Sequence, residues 1–339
     1  MIELRPIEEN ERIAVAIPTR NRQSYLAVLL ASLASQTYTN WMVVINDDSD
    51  SPVENHDTIK DLCALLRKNG NEVVIIHGGS GHQRHQKAMD AVPESIEFIV
   101  RIDDDLMMTP AFLENVLRPF HFFSHPSPAA VGGCYPEPQL TPMHLDMGVT
   151  MPGWIPLADA PTWRLQGHYY DQREILEVGS LLGHAICYRR SAVRAVGGWA
   201  VDGYSRHAFR EESDLCARLA FAGYTLMVTT DALAWHLYAP GGGSRNVNKT
   251  PEGNFIVSEP GKLDGDEQLF QALLKHLAHV HGPPRQPLGR FKIAELERHH
   301  FKRRPMVSLK SKSMRFIERE LLRRAKHLYW YLSSPPRPR

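Results

Sequence analysis

No uninterrupted apolar run in this chain approaches the ~20 residues that a membrane-spanning helix needs. The N-terminal stretch "MIELRPIEENER" also lacks the apolar core of a secretion signal. The expectation is therefore a protein that is not integral to a membrane by its own helices. Cysteine is scarce: Cys63, Cys134, Cys187 and Cys216 stand far apart with no C-x-x-C pair. That argues against a structural zinc site or a disulfide framework, and makes a reducing cytosol the simplest compartment. Charge of one sign is not in excess, with 39 Lys and Arg against 38 Asp and Glu, so the overall balance selects no class of partner. No G-x-G-x-x-G follows the first expected strand, where "IPTRNR" stands, and a Rossmann dehydrogenase is excluded. That position also lacks the nucleophilic Asp of a dehalogenase-like phosphatase and the Gly-rich, Lys/Arg-bearing loop of a sugar nucleotidyltransferase. No internal repeat is visible.

What the first hundred residues do contain is an alternation of two periodicities. "RIAVAIP" (12–18), "WMVVIN" (41–46), "EVVIIH" (72–77) and "EFIVRI" (97–102) are short Val- and Ile-rich runs that read as buried strands. Between them, "QSYLAVLLASLASQ" sets Leu26, Leu29, Leu30 and Leu33 on one helical face, and "DTIKDLCALLRKNG" stops at Asn69-Gly70. This alternation predicts an α/β fold of right-handed βαβ units, a mostly parallel central sheet flanked by helices. Ligands of such sheets bind beyond the carboxyl ends of the strands. Further along, "LLGHAICYRR" reads as a strand and "SAVRAVGGW" as a short helix. "EESDLCARLAFAGY" reads as a helix with Leu215 and Leu219 inward, and "TLMVTTDALAWH" as a strand ending at His236. The stretch 125–175, rich in Pro, Gly and aromatics, reads as irregular loops and short strands lining a second subsite. "APGGGSRNVNKTPEGN" reads as a glycine-rich loop carrying Arg245 and Lys249.

Three segments on the expected binding edge are unusual: "PTRNR", "NDDSDS" and "RIDDD". In the last, Asp103, Asp104 and Asp105 follow one another where a buried strand ends. Adjacent like charges repel, and carboxylates leaving a low-dielectric core lose hydration, so the cluster costs stability unless a cation or hydrogen-bond donors meet it. Thr109 reads as an N-cap with Pro110 at the first helical position, turning the chain sharply and leaving the carboxylates at the mouth. An Asp-x-Asp turn placed this way suits Mg2+ or Mn2+ bound together with a diphosphate, because these hard ions take a few carboxylates plus substrate oxygens. A solvated acidic turn is the competing reading.

Taken as an ordered set, the segments resemble family-2 glycosyltransferases with the GT-A fold. "IAVAIPTRNRQSYLAVLLASLASQTYTNWMVVINDDSDS" is similar to the family's opening, "RIDDD" to its Asp-x-Asp motif, and "VGGWAVDGYSRHAFREESDLCARLAFAGY" with "ALAWH" to its second signature. The resemblance implies transfer of a sugar from a nucleoside-diphosphate sugar, UDP-sugar favoured, to an acceptor hydroxyl with inversion. It implies Pro18, Thr19, Arg20 and Asp47 around the nucleoside and Arg84 near the donor. Asp103 and Asp104 fall on the donor side, with Asp105 and His236 as ligands of Mn2+ or Mg2+. Glu212, with Glu211 beside it, falls at the catalytic base. Arg245 and Lys249 would add charge over the diphosphate. Two departures leave uracil, guanine and thymine open: Arg20 stands where an aromatic is usual, and Asp48 where a glycine is usual. No Gln-x-x-Arg-Trp motif occurs, which speaks against a processive synthase.

Each residue also has a plainer reading. Acidic residues at 211, 212 and 214 suit a helix N-terminus electrostatically, and Asp214 with Arg218 forms an i, i+4 pair. His236 at a strand end could be a core histidine, and the alternative for the whole chain is a non-catalytic or hydrolytic nucleotide-sugar binder. The expected organisation is one GT-A domain over 1–255, with a nucleotide-binding half (1–120) and an acceptor-binding half (121–255). A basic, largely helical extension follows over 256–339. From 285 onward 16 Lys and Arg face four Glu and no Asp, interleaved with Phe316, Ile317, Leu321, Leu322, Leu328 and Trp330. That pattern suits a helix packed on the catalytic domain. It also suits peripheral contact with an anionic membrane, with nucleic acid or another polyanion as acceptor, or a homo-oligomer contact.

Overall fold

The computed structural model describes residues 7–79, 83–123, 128–135, 173–181, 183–199, 203–204, 210–237, 239, 241–243, 247–249, 255–257, 260–282 and 290–302. Most of the loops expected over 125–175, and the basic tail beyond 302, lie outside them. The chain divides into two compact units, Met1–Ile293 and Ala294–Arg339.

The first unit opens as its periodicity predicts. Strands β1 (Ile13–Thr19), β2 (Trp41–Asp47), β3 (Glu72–His77) and β4 (Phe98–Ile102) pair in parallel in the order β4-β1-β2-β3. They are linked by α1 (Gln23–Leu33), α2 (Asp57–Lys68) and α3 (Gln83–Asp90). Every residue of β1, β2 and β4 is buried, because helices cover both faces. Alternate residues serve the two faces. Ala14, Ala16, Met42, Val44 and Ile99 join Ala88 and Met89 of α3 in one core, while Phe98, on the other face, meets Phe120 of α4 (Phe112–Phe122) edge-on.

Beyond β4 the sheet turns mixed. The elements that follow are β5 (Leu106–Met108), β6 (Pro128–Cys134), β7 (Glu174–Val178), β8 (Ala185–Arg189) and β9 (Thr225–His236). β8 runs antiparallel between β4 and β6, β6 pairs in parallel with β9, and β7 extends the sheet antiparallel to β9. β5 leaves the line of β4 and pairs antiparallel with the far end of β9, putting Leu106 opposite His236. That pairing corrects the reading of Thr109. The helix begins at Phe112, with Ala111 at its N-cap and no side-chain cap, while the Thr109 hydroxyl donates to the Leu233 carbonyl at 2.8 Å. The residues after the triplet are drawn into β5, which delays the helix.

Helices α5 (Arg190–Ala195) and α6 (Glu211–Phe221) cover the same face as α3, with Leu215 and Leu219 fully buried as predicted. A long helix, α7 (Pro260–His281), packs Phe270, Leu274 and Leu277 against Ala217 and Phe221 of α6. Three short strands complete the described unit: β10 (Val247–Lys249) and β11 (Phe255–Val257), which pair together, and β12 (Arg290–Lys292), which pairs with β7. Helix α8 (Ile293–Lys302) starts at the last residue of the first unit and supplies the described residues of the second. No helix among the described residues is long and apolar enough to cross a membrane.

The α6–α7 contact fixes where α6 starts. Arg210, its N-cap, adopts a left-handed φ of 72° without a side-chain capping bond. Its guanidinium donates to Glu267 of α7 at 2.6 Å and lies 5.8 Å from the centre of the Phe270 ring. Phe270→Ala is accordingly expected to cost about 3–5 kcal/mol, as a truncated buried aromatic does. Urea unfolding followed by circular dichroism measures it.

Candidate functional site

The site is built at the carboxyl ends of β1, β2 and β4. Parallel register sets Pro18 beside Asn46 and Thr19 beside Asp47. The loop after β1 is laced to the loop after β2. Asn21, itself at a left-handed φ of 52°, exchanges hydrogen bonds with Asp50, and its backbone N–H donates to Ser49 Oγ. Arg20 lies 3.6 Å from Asp48, so the two positions that depart from the family pattern compensate each other. Asp47 is buried, and its two oxygens accept the backbone N–H groups of Ser49 (3.0 Å) and Val53 (2.9 Å), which shapes this loop. His77 stands 3.8 Å from Asp47 and 2.8 Å from Glu54. Those three residues are the group of described side chains whose possible cation ligands all lie within 4.8 Å of one another. Arg84 of α3 is buried with its charge felt by Glu211, Asp48 and Asp104; burial lowers its pKa from the ordinary arginine value.

The aspartate triplet is resolved residue by residue. Asp103 takes Arg101 Nη2 at 2.9 Å and His184 Nδ1 at 3.4 Å, and its N–H donates to the His184 carbonyl at 2.7 Å. Burial opposes its charge, but the Arg101 guanidinium and the His184 ring hold it well below the ordinary carboxylate range. Asp104 is buried and accepts Thr19 Oγ1 at 2.7 Å and Arg22 Nη1 at 3.0 Å. Desolvation, reinforced by neighbouring Asp105, pushes it up to about 6 in spite of Arg22. Asp105 Oδ2 accepts Arg22 Nη1 and the Ala239 N–H, both at 3.1 Å, while its Oδ1 lies 3.5 Å from His236 Nε2. Burial opposes that charge as well, yet the His236 ring holds Asp105 below its ordinary value.

The glycine-rich loop begins on top of this cluster. Arg22 Nε donates to the Gly241 carbonyl at 2.9 Å, and the Gly243 N–H to the Arg20 carbonyl at 2.8 Å. Gly242 sits at φ +73°, where a Cβ would come within 2.7 Å of the Arg20 and Asn21 carbonyls, so only glycine fits. Of the cations expected in this loop, Arg245 lies outside the described residues, and Lys249 is described only as backbone of β10.

On the other side, α6 presents Glu211 and Glu212. Glu211 is buried, with Oε1 at 2.9 Å from His85 Nε2 and 3.6 Å from Arg101 Nη2. Arg101 Nε donates to His85 Nδ1 at 3.1 Å, and Arg101 Nη2 lies 3.2 Å from His85 Nε2, the ring nitrogen that also faces Glu211. Glu212 lies against Gly183: a Cβ there would be 2.5 Å from the Glu212 Cδ. Asp214, read as structural, is held by Arg218 Nε at 2.7 Å and by the Tyr204 hydroxyl at 2.8 Å.

Asp105 and His236 suit a small divalent ion. Their facing atoms are 3.5 Å apart. Two adjacent ligands with bonds of about 2.1 Å require roughly 3 Å, and a carboxylate oxygen with an imidazole suits Mn2+. Asp103 is turned instead toward Arg101 and His184, whose ring centre lies 4.2 Å from that of His236 with the planes tilted by 33°. Sequence reasoning missed Arg22, His85, Arg101 and His184. For Arg101 the signal was available: a single cation inside the apolar run "FIVRI" can only be buried with a partner.

Two outcomes follow from these charges. His85 is buried neutral and its pKa is lowered from 6.5 by desolvation, so the unfolded chain takes a proton that the native ring refuses. Native stability is therefore lost as pH falls below about 6.5, and His184, lowered the same way, adds to the slope. Urea titrations of His85→Gln between about pH 7 and pH 5 are expected to show a shallower decline than the unsubstituted protein. Arg22→Met leaves two buried carboxylates without their cation and is expected to cost about 3–5 kcal/mol at pH 8. The loss should be smaller near pH 5, where Asp104 protonates.

Comparison with known proteins bears on the same segments. The model described as Glycosyl transferase family 2 matches residues 14–197, more than half of the chain, and ends before Glu212 and His236. Among solved structures, S. aureus TarS has 16% identity and a TM-score of 0.46 over 68% of this chain and 37% of its own. The mannosyltransferase PcManGT from Pyrobaculum calidifontis, in complex with GDP-Man and Mn2+, has 16% identity and a TM-score of 0.45 over 68% and 57%. TarS 1-349 in complex with UDP-GlcNAc has 16% identity and a TM-score of 0.49 over 79% and 73%. The chain thus spans less than two thirds of full TarS and of the mannosyltransferase. No curated protein matches it significantly. With the strand-loop-strand opening and the aspartate turn both inside that match, the chain belongs to glycosyl transferase family 2.

Proposed function

We propose that this glycosyltransferase moves a sugar from a nucleoside-diphosphate sugar to an acceptor hydroxyl by a single inverting displacement, with Glu212 as the general base. The observation that carries the reading is the turn at 183–184. Gly183 lies against the Glu212 carboxyl group, and His184, the next residue, holds Asp103 through both its backbone and its ring. A carboxylate able to take a proton and the carboxylates of the donor side thus flank one short turn. Inversion needs this separation of roles, with one carboxylate on the acceptor hydroxyl and another set gathering the leaving diphosphate.

Asp105 and His236 are the residues that would hold a divalent ion, which when bound supplies a Lewis acid to the leaving diphosphate. The hydrogen bonds from Arg22 and the Ala239 N–H fix the Asp105 carboxylate so that Oδ1 faces His236. The loop shaped by Asp47, with Pro18, Thr19 and Arg20, is assigned to the nucleoside, and Arg84 and Asp103 to the rest of the donor. Arg245 and Lys249 are proposed for the diphosphate. UDP is the favoured carrier, and the Arg20–Asp48 pair makes GDP the comparison to run beside it.

Thermal unfolding with UDP or GDP, each with and without MnCl2, tests the donor side. A ligand at 100 times its Kd stabilises by about 2.7 kcal/mol. The expected result is a shift with one nucleotide that requires Mn2+ and disappears in Asp105→Ala. Glu212→Gln is expected to keep that shift and lose sugar transfer. Turnover unchanged in Glu212→Gln would remove the base assignment.

A further inference from the structure

We propose that Arg101 is a positioning residue that locks the donor-side Asp103 and the base-bearing helix α6 into one register, with His85 as the intermediate link. The proposal rests on the assignment of Glu212 as base. Arg101 sits in β4, two residues before Asp103, on the sheet face covered by α3 and α6. It is 4% exposed, and its guanidinium reaches three elements at once: Asp103 Oδ1 at 2.9 Å, His85 Nδ1 at 3.1 Å, and Glu211 Oε1 at 3.6 Å. His85 in turn contacts Glu211 at 2.9 Å and stacks on Trp199, with ring centres 4.8 Å apart and planes inclined by 26°. Glu211 precedes Glu212, so the end of this chain of contacts sets the first turn of the helix that carries the base.

A stabilising role alone accounts poorly for this arrangement. Burying an ion cluster is commonly no better for stability than filling the space with apolar side chains, and often worse. Arg101 Nη1 is moreover buried without a hydrogen-bond partner, and so is the hydroxyl of Tyr188, which projects to the same face from β8. Unmet buried polar atoms are destabilising. What a planar, multi-donor guanidinium offers that a Leu or Met cannot is a fixed angle between two carboxylates on separate elements. Misplacement of about 1 Å between reacting groups costs about 100-fold in rate. The α6 N-terminus, entered through a left-handed Arg210, has no side-chain cap of its own to supply that precision.

The test uses the full chain and the variants Arg101→Met, Arg101→Lys and His85→Phe, the last keeping a ring on Trp199 while losing the polar contacts with Arg101 and Glu211. Amide hydrogen exchange is read first, because it needs no substrate. Arg101→Met is expected to lose protection at residues 103–106 and 211–215 together; because it leaves Asp103 and Glu211 without their cation it is also expected to lower the melting temperature, so kcat is read well below the unfolding transition of each variant. Release of UDP from UDP-glucose and UDP-GlcNAc, and of GDP from GDP-mannose, is read second. For the donor that turns over, kcat is expected to fall about 100-fold in Arg101→Met with KM changed less than about threefold. Arg101→Lys should recover part of the loss, and Glu212→Gln added to Arg101→Met should cost far less than it does alone. Unchanged exchange at 211–215, or a kcat loss accounted for by the unfolded fraction at the assay temperature, would overturn the proposal. So would fully multiplicative losses in the double variant. Should the unsubstituted protein release no nucleotide from any donor, the reading of Glu212 fails on its own, and coupled exchange at the two segments still decides whether Arg101 links them.

Discussion

Three adjacent carboxylates at the end of a buried strand cannot share one counter-charge, and much of the site follows from that constraint. At about 4 Å and an effective dielectric near 20, two like charges repel by about 4 kcal/mol. The chain meets the cost by sending each aspartate to a different partner. Asp103 goes to Arg101, two residues back on its own strand; Asp104 to Arg22 and Thr19, after β1; Asp105 to His236, at the end of β9. Segments separated by more than 200 residues are tied together at one turn because no single segment could neutralise it.

The sheet topology makes those partners available. Parallel pairing puts the carboxyl end of β1 beside that of β4, delivering the loop with Arg22. The diversion of β5 onto β9 delivers His236, since Leu106 and His236 pair directly. The antiparallel insertion of β8 delivers the turn at 183–184, and with it His184. The three aspartates thereby acquire different duties. Asp104, buried and bonded on both oxygens, belongs to the architecture. Asp103 is the most exposed of the three and Asp105 turns Oδ1 toward His236, so the middle residue holds the turn while the outer two face other elements.

The part of this that was legible in the sequence is the part governed by short-range pattern. The Val/Ile runs, the 3.6-residue stripe of Leu26, Leu29, Leu30 and Leu33, and Gly223 after α6 each encode one element by local rules. The acidic triplet announced a need for positive charge but not its source. Arg22 and Arg101 were open to reading, one as the last residue of "PTRNR" and the other as a lone cation in an apolar strand, yet their pairing with particular aspartates depends on strand register, which no local pattern contains. His85 and His184 carried no signal at all, because a histidine becomes a structural link only through what folds against it. The Arg20–Asp48 pair is a related case. Each residue looked like a separate departure from the family pattern, and only their 3.6 Å separation makes them one compensated change. Thr109 failed as a cap because long-range pairing of β5 outcompeted a local preference worth about 1 kcal/mol.

Charge accounting at the turn explains why internal neutralisation does not make an added cation redundant. Asp103, Asp104 and Asp105 meet two permanent cations, Arg101 and Arg22, while His85 and His184 are kept neutral by burial. Among the described side chains, the remaining partner of the third carboxylate, Asp105, is the His236 ring, and Glu211 and Arg84 feel each other's charge nearby. A diphosphate approaching this edge would meet like charge at close range, where partial burial weakens screening by salt. Arg22 and Arg101 are engaged with the carboxylates that hold the turn together. A divalent ion placed between Asp105 and His236 would reverse the sign without disturbing those contacts. The turn is thus held by its arginines, with Asp105 and His236 left facing each other at 3.5 Å.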